Sequence, residues 1–198
     1  MKTLIFSLFL FVPGLSKAAL PSQFSECLRE NSATNMSVQD LREIARVSQV
    51  TYCQNQVGLV GKAEIIQLLQ SPNINIGISV SKTTYSATDF VDLARAGSFV
   101  LYVDGARLTV PNLIAIAQAG AQLVVMTASA GISKTDLLTL AAAKPFILNV
   151  NSPTSALDLR DYVAAGMQIV IRSAQAGLSR VDIMSVATAN SALVTVMP

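Results

Sequence analysis

Histidine and tryptophan are absent from this sequence of 198 residues, cysteine occurs twice, and charged side chains make up only 13% of it. Without histidine, the commonest proton shuttle, metal ligand and member of a nucleophile–base–acid triad is missing, so chemistry here falls to carboxylates and hydroxyls. Basic and acidic residues number 14 and 12, and no dense basic run occurs. That balance offers no surface for neutralising phosphates, which excludes nucleic acid as the expected partner. No glycine-rich strand-to-helix loop followed by lysine is present to cradle a phosphate. Nothing in the composition calls for a cofactor or a metal.

What the sequence has instead is a repeat. Ser37, Val60, Ser86, Thr109, Ser133, Ser155 and Ser179 each open a similar unit, 22 to 26 residues apart. Self-similarity at that period is the mark of a solenoid. In six units an Asp or Asn follows the opening residue by three places: Asp40, Asp89, Asn112, Asp136, Asp158 and Asp182. A hydroxyl that accepts from the first helical turn, with an acid at the third helical position, is a helix N-cap close in kind to a capping box. The unit opening at Val60 lacks it. Pairs such as Tyr85/Phe90 and Leu108/Leu113 fit a hydrophobic staple around the cap. Gly97, Gly120 and Gly166 are expected to end their helices with positive φ. Asp92, Asp161 and Glu64 read as solvated helix positions.

After each stop comes a short apolar run rich in β-formers, for example 99–103, 122–126, 146–150, 168–172 and 192–196, with 74–80 and 50–53 ahead of them. Short helices alternating with short strands predict an α/β fold: a curved solenoid of about seven helix–strand repeats, with a consecutive parallel sheet on the concave side. Over residues 36–197 the chain resembles, in architecture, the leucine-rich-repeat class of α/β solenoids. The L-x-x-L-x-L-x-x-N signature and asparagine ladder of that class are absent. The alternative is a closed or partly closed βα barrel, for which the units are short and one strand too few.

The amino terminus reads as an export signal over 1–18. Lys2 precedes an apolar run from Leu4 to Val12, and Ser16-Lys17-Ala18 is a small-x-small cleavage site. The run is far short of a bilayer span, so no anchor is expected after cleavage. Loss of Lys2 and Lys17 leaves 12 basic and 12 acidic residues. A periplasmic or secreted bacterial protein is the expected address. There Cys27 and Cys53 are expected to form one disulfide, the wide spacing and missing histidine speaking against a metal pair. The division of the chain is then 1–18 signal, 19–35 an N-terminal capping segment with a helix over 23–31, and 36–198 the repeat domain.

Two aliphatic rows cross the strands: Val100, Leu123, Ile147, Ile169, Leu193 and Leu101, Val124, Leu148, Val170, Val194. One is expected to face outward as an apolar surface, or to be covered as core. Polar and aromatic departures within the strands, Tyr102, Gln122, Asn149, Gln168, Arg172 and Thr195, point to recognition, joined by the loop residues Asp104 and Arg107. Further strand-exit positions are Thr127, Asn151, Ser152 and Gln175, with turn geometry the stronger account of Asn151-Ser152. Arg172 stands out, since the aligned Val103, Met126, Val150 and Val196 are apolar. The column of aspartates is explained by capping. The expected function is a protein-interaction scaffold that binds a partner or itself through the concave face or the edge of the last strand, where unpaired backbone invites pairing. A carrier of a small hydrophobic molecule is the second expectation, and a carboxylate-dependent hydrolase the third.

Overall fold

The computed structural model describes residues 19–29, 36–56 and 60–198. The expected signal segment 1–18 and the second part of the expected capping segment, 30–35, lie outside them. Seven helices and seven strands alternate among the described residues: α1 (Val38–Ala45), β1 (Val50–Gln54), α2 (Lys62–Leu69), β2 (Ile74–Ser79), α3 (Ala87–Ala96), β3 (Val100–Val103), α4 (Val110–Ala119), β4 (Gln122–Met126), α5 (Lys134–Ala143), β5 (Ile147–Val150), α6 (Ala156–Ala164), β6 (Gln168–Arg172), α7 (Arg180–Ala189) and β7 (Val194–Met197). The strands form one parallel sheet in the order β1 to β7, each pairing only with its sequence neighbours. β1 and β7 do not meet, so the sheet is open and the barrel alternative is set aside. The helices pack on one face of it in the curved solenoid arrangement the repeat predicts.

The cap column explains where most helices begin. Ser37, Ser86, Ser133 and Ser179 accept at the hydroxyl from the third helical N–H, and Asp40, Asp89 and Asp182 accept in return from the N–H of the cap residue. Two caps differ from expectation. Thr109 and Ser155 make no side-chain cap bond. Pro111 removes an N–H from the first turn of α4, so one orphan donor is gone; nothing in the structure explains the missing bond at Ser155. The second unit starts one residue late, at Gly61, whose N–H donates to Glu64 at 2.9 Å. Glu64 is thus a cap rather than a solvated position. Asp92 and Asp161 are engaged as well: Lys62 reaches Asp89 and Asp92 at 2.7 and 2.8 Å, and Lys134 reaches Asp158 and Asp161, so each lysine clips its helix to the next.

The stops need one correction. Gly120 and Gly166 have the expected positive φ, 130° and 83°. Gly97 is extended, with φ 176°. Glycine serves there because a Cβ would lie 2.8 Å from the carbonyl oxygen of Leu69.

The two expected aliphatic rows are not rows of the sheet. The observed register places Ile78, Leu101 and Leu123 on one line, and Val125, Leu148, Ile169 and Val194 on another, both against the helices. On the opposite face run Cys53–Gly77–Val100–Gln122, Ser79–Tyr102–Val124–Ile147–Gln168 and Met126–Asn149–Val170–Thr195. Aligning the strands by the helix caps misses the true register by one residue at each step from β3 to β7. A slip of one residue sends a side chain to the other face, so both expected rows zigzag between the two.

Candidate functional site

The helix-free face is not bare. Residues 19–29 form a strap across it, turning irregularly over 22–28 in place of the expected capping helix. Leu20, Phe24, Cys27 and Leu28 share one side of these turns and pack with Val100, Tyr102, Val124, Ile147 and Val170 in a second apolar cluster, separate from the helix-side core. Those five sheet residues are fully buried. A disulfide joins Cys27 to Cys53 in β1, as the cysteine count predicts. It seats the strap on Gly77, where a Cβ would stand 2.5 Å from the Cys27 sulfur. Only a residue without a side chain allows that approach.

Polar contacts fix the register of the strap. The Tyr102 hydroxyl donates to the carbonyls of Gln23 and Phe24 at 3.0 and 3.2 Å, and the Gln23 amide donates to the carbonyl of Ile76 at 3.2 Å. Burial pushes the Tyr102 phenol well above its ordinary range, so it remains a donor. At the far side the Arg172 guanidinium lies 6.0 Å from the centre of the Phe24 ring, an aromatic-cation contact. The strap therefore spans from β1 to β6.

All six strand positions singled out in the sequence lie on this face. Their surroundings divide them. Tyr102 is an anchor of the strap. Gln122 is exposed at the start of β4, Gln168 half-buried at the start of β6, and Thr195 half-buried in β7. Asn149 is 1% exposed; its amide donates to the Met126 sulfur at 3.1 Å and its carbonyl oxygen accepts from Nε of Arg172 at 3.4 Å. The loop candidates serve the strand exits. Asp104 accepts from the Ser79 hydroxyl at 2.6 Å and from the backbone and hydroxyl of Ser81, both at 2.8 Å. Arg107 donates to the carbonyl of Val80 at 2.8 Å. Thr127, after β4, bonds to Asn151 and Ser152, after β5, so these residues tie neighbouring strand exits together.

Among the described residues, cavities lie on both sides of the strap, among them two lined in part by its residues. The larger, about 350 Å³, brings together Asn149, Asn151, Arg172 and Gln175 with Ser25 and Arg29 of the strap, and Pro198 stands at its rim. The smaller, about 160 Å³, brings Tyr102 and Asp104 together with Asn55, Lys82 and again Arg29. Gln122, Gln168, Thr195 and Arg107 border neither. Ser25, Arg29, Asn55 and Lys82 are among the lining residues that sequence reading missed. A signal for the first two was present: Leu20, Phe24, Cys27 and Leu28 fall at helical spacing, marking a side that packs and leaving Ser25 and Arg29 beside it. Among the described residues no three His, Cys, Asp or Glu side chains gather as metal ligands. No protein-family model matches the chain, and no curated protein matches its sequence.

Proposed function

We propose that the protein is an exported interaction module that binds a partner, or a second copy of itself, on the helix-free face of its sheet. The observation that carries this reading is the partition of that face. Its apolar residues are sealed beneath the strap, while the polar departures Gln122, Asn149, Gln168, Arg172 and Thr195 all fall on the same side. A solenoid places side chains from successive strands at regular intervals, which suits an extended recognition surface. Export is supported by the Cys27–Cys53 disulfide, a bond that persists in oxidising compartments, and by the signal features of residues 1–18. Among the described residues no helix is long and apolar enough to cross a membrane. The hydrophobic-carrier reading has less support, since Phe24 and Leu28 already occupy the apolar ground it would use.

Photo-crosslinking in the native envelope tests the proposal. A crosslinkable residue at Gln122 or Thr195 is expected to give a discrete adduct, while the same residue at Arg160, on α6, gives none. An adduct of twice the chain mass would identify the second copy. Equal labelling from both faces, or none from either, would overturn the reading.

A further inference from the structure

The larger cavity beside the strap has the makings of an anion site, and we infer that it receives a carboxylate. This deepens the interaction reading above by naming the chemistry of what is bound.

Arg172 is held in place from two sides. Nε donates to Asn149 Oδ1 at 3.4 Å, and the guanidinium plane rests near the Phe24 ring. Its two terminal nitrogens make no hydrogen bond among the described residues, and no described carboxylate lies within ion-pair distance of it. Lys62 and Lys134, by contrast, each hold two aspartates. The fork of terminal N–H groups is therefore unspent at a cavity wall.

The remaining wall suits the same ligand. Arg29 adds a second positive charge, Asn151 and Gln175 supply amides, Ser25 a hydroxyl, and among the described residues the charged side chains that line the space are both basic. Asn149, almost fully buried, fixes the arginine from below. A volume of about 350 Å³ sits at the lower end of small-ligand sites. A planar guanidinium edge matches a planar carboxylate through two parallel hydrogen bonds, a match that a spherical ion does not offer. The source is either a small dicarboxylate or an acidic side chain presented by a protein partner.

Calorimetric titration of the full signal-free chain with four probes decides the matter: glutarate, acetyl-Gly-Glu-Gly-amide, acetyl-Gly-Gln-Gly-amide and sulfate. Saturable binding of glutarate or the Glu peptide is expected, with the Gln peptide and sulfate at least tenfold weaker. Arg172→Gln should weaken binding at least tenfold, Arg172→Lys by less, and Arg95→Gln on α3 not at all. Should Arg172→Gln fail to fold by circular dichroism, Gln175→Glu decides, because it adds a negative charge at an exposed wall position and should abolish binding. Glutarate binding without peptide binding would keep the carboxylate site and assign it to a small molecule. Sulfate binding as tightly as glutarate, unchanged affinity in Gln175→Glu, or no binding of either carboxylate probe would overturn the inference. The crosslinking result is independent of these outcomes, so the interaction reading can survive a failed anion site.

Discussion

Replacing Cys27 and Cys53 together by alanine removes the single covalent tie of the strap. The bond spans a sequence separation of 26. Closing a loop of roughly that length lowers the entropy of the unfolded chain by about 12 cal/mol/K, or about 3.5 kcal/mol at 25 °C. The double variant should therefore lose about 3 to 4 kcal/mol of stability, roughly a 400-fold fall in the folding constant. Urea unfolding of parent and variant side by side measures the loss, and hydrogen exchange at the amides of Phe24 and Cys27 reports whether the strap itself loosens. Those amides bond within the strap, to the carbonyls of Pro21 and Gln23, so their protection follows the local turns. A loss below about 1 kcal/mol, with both amides protected as in the parent, would refute the loop-closure argument. It would show that Phe24 and Tyr102 hold the strap unaided.

Three further outcomes are expected. Phe24→Ala, at a side chain 1% exposed, should cost about 3 kcal/mol and expose the apolar row, read as a rise in the fluorescence of a hydrophobic dye. Gly97→Ala should destabilise by overpacking against the Leu69 carbonyl, about 1 to 3 kcal/mol, whereas Gly166→Ala has no atom within 4 Å of its new methyl and should cost only the left-handed strain of about 1 kcal/mol; equal urea midpoints for the two would contradict this. Asp89 is held below the usual carboxylate range by the hydrogen bond from Lys62 and then by those from Ser86, and Asp40 and Asp182 by their cap serines. A carboxylate whose folded pKa is depressed stabilises the fold above its unfolded pKa of about 3.9 and loses that contribution as pH falls toward its folded value. Urea midpoints should accordingly hold from pH 7 to about 5 and fall below about 4, and Asp89→Asn should flatten that acid limb; a limb of unchanged steepness would tell against the pairing.

The helix side of the fold was legible in the sequence because its signals are local. Ser86 and Asp89 are three residues apart, and their reciprocal bonds need no knowledge of the rest of the chain. The strand-to-strand register was not legible, because Leu101 and Tyr102, or Leu148 and Asn149, are buried on opposite faces alike, and burial on both sides erases the alternation from which register is read. For the site, the polar strand positions were found by type, and Arg172 was recognised as unusual against the wrong partners: in the true register it stands beside Met197. The strap was out of reach for a different reason. Gln23 and Tyr102 are 79 residues apart in the chain, and neither shows which surface it will meet. The disulfide was foreseen from the expected compartment and the cysteine count, and it holds the strap over the sheet face.

Stacked repeats ordinarily behave as a line of beads, each steadied only by the ones beside it, so that melting can begin at either end and travel. Here a segment attached to β1 runs on over β2 to β6, well beyond the neighbouring repeat. Any fraying at the β6 end must also disturb Phe24, and through it the tyrosine of β3. The strap thus couples units that a bare stack would leave independent, and the repeats beneath it are expected to melt together.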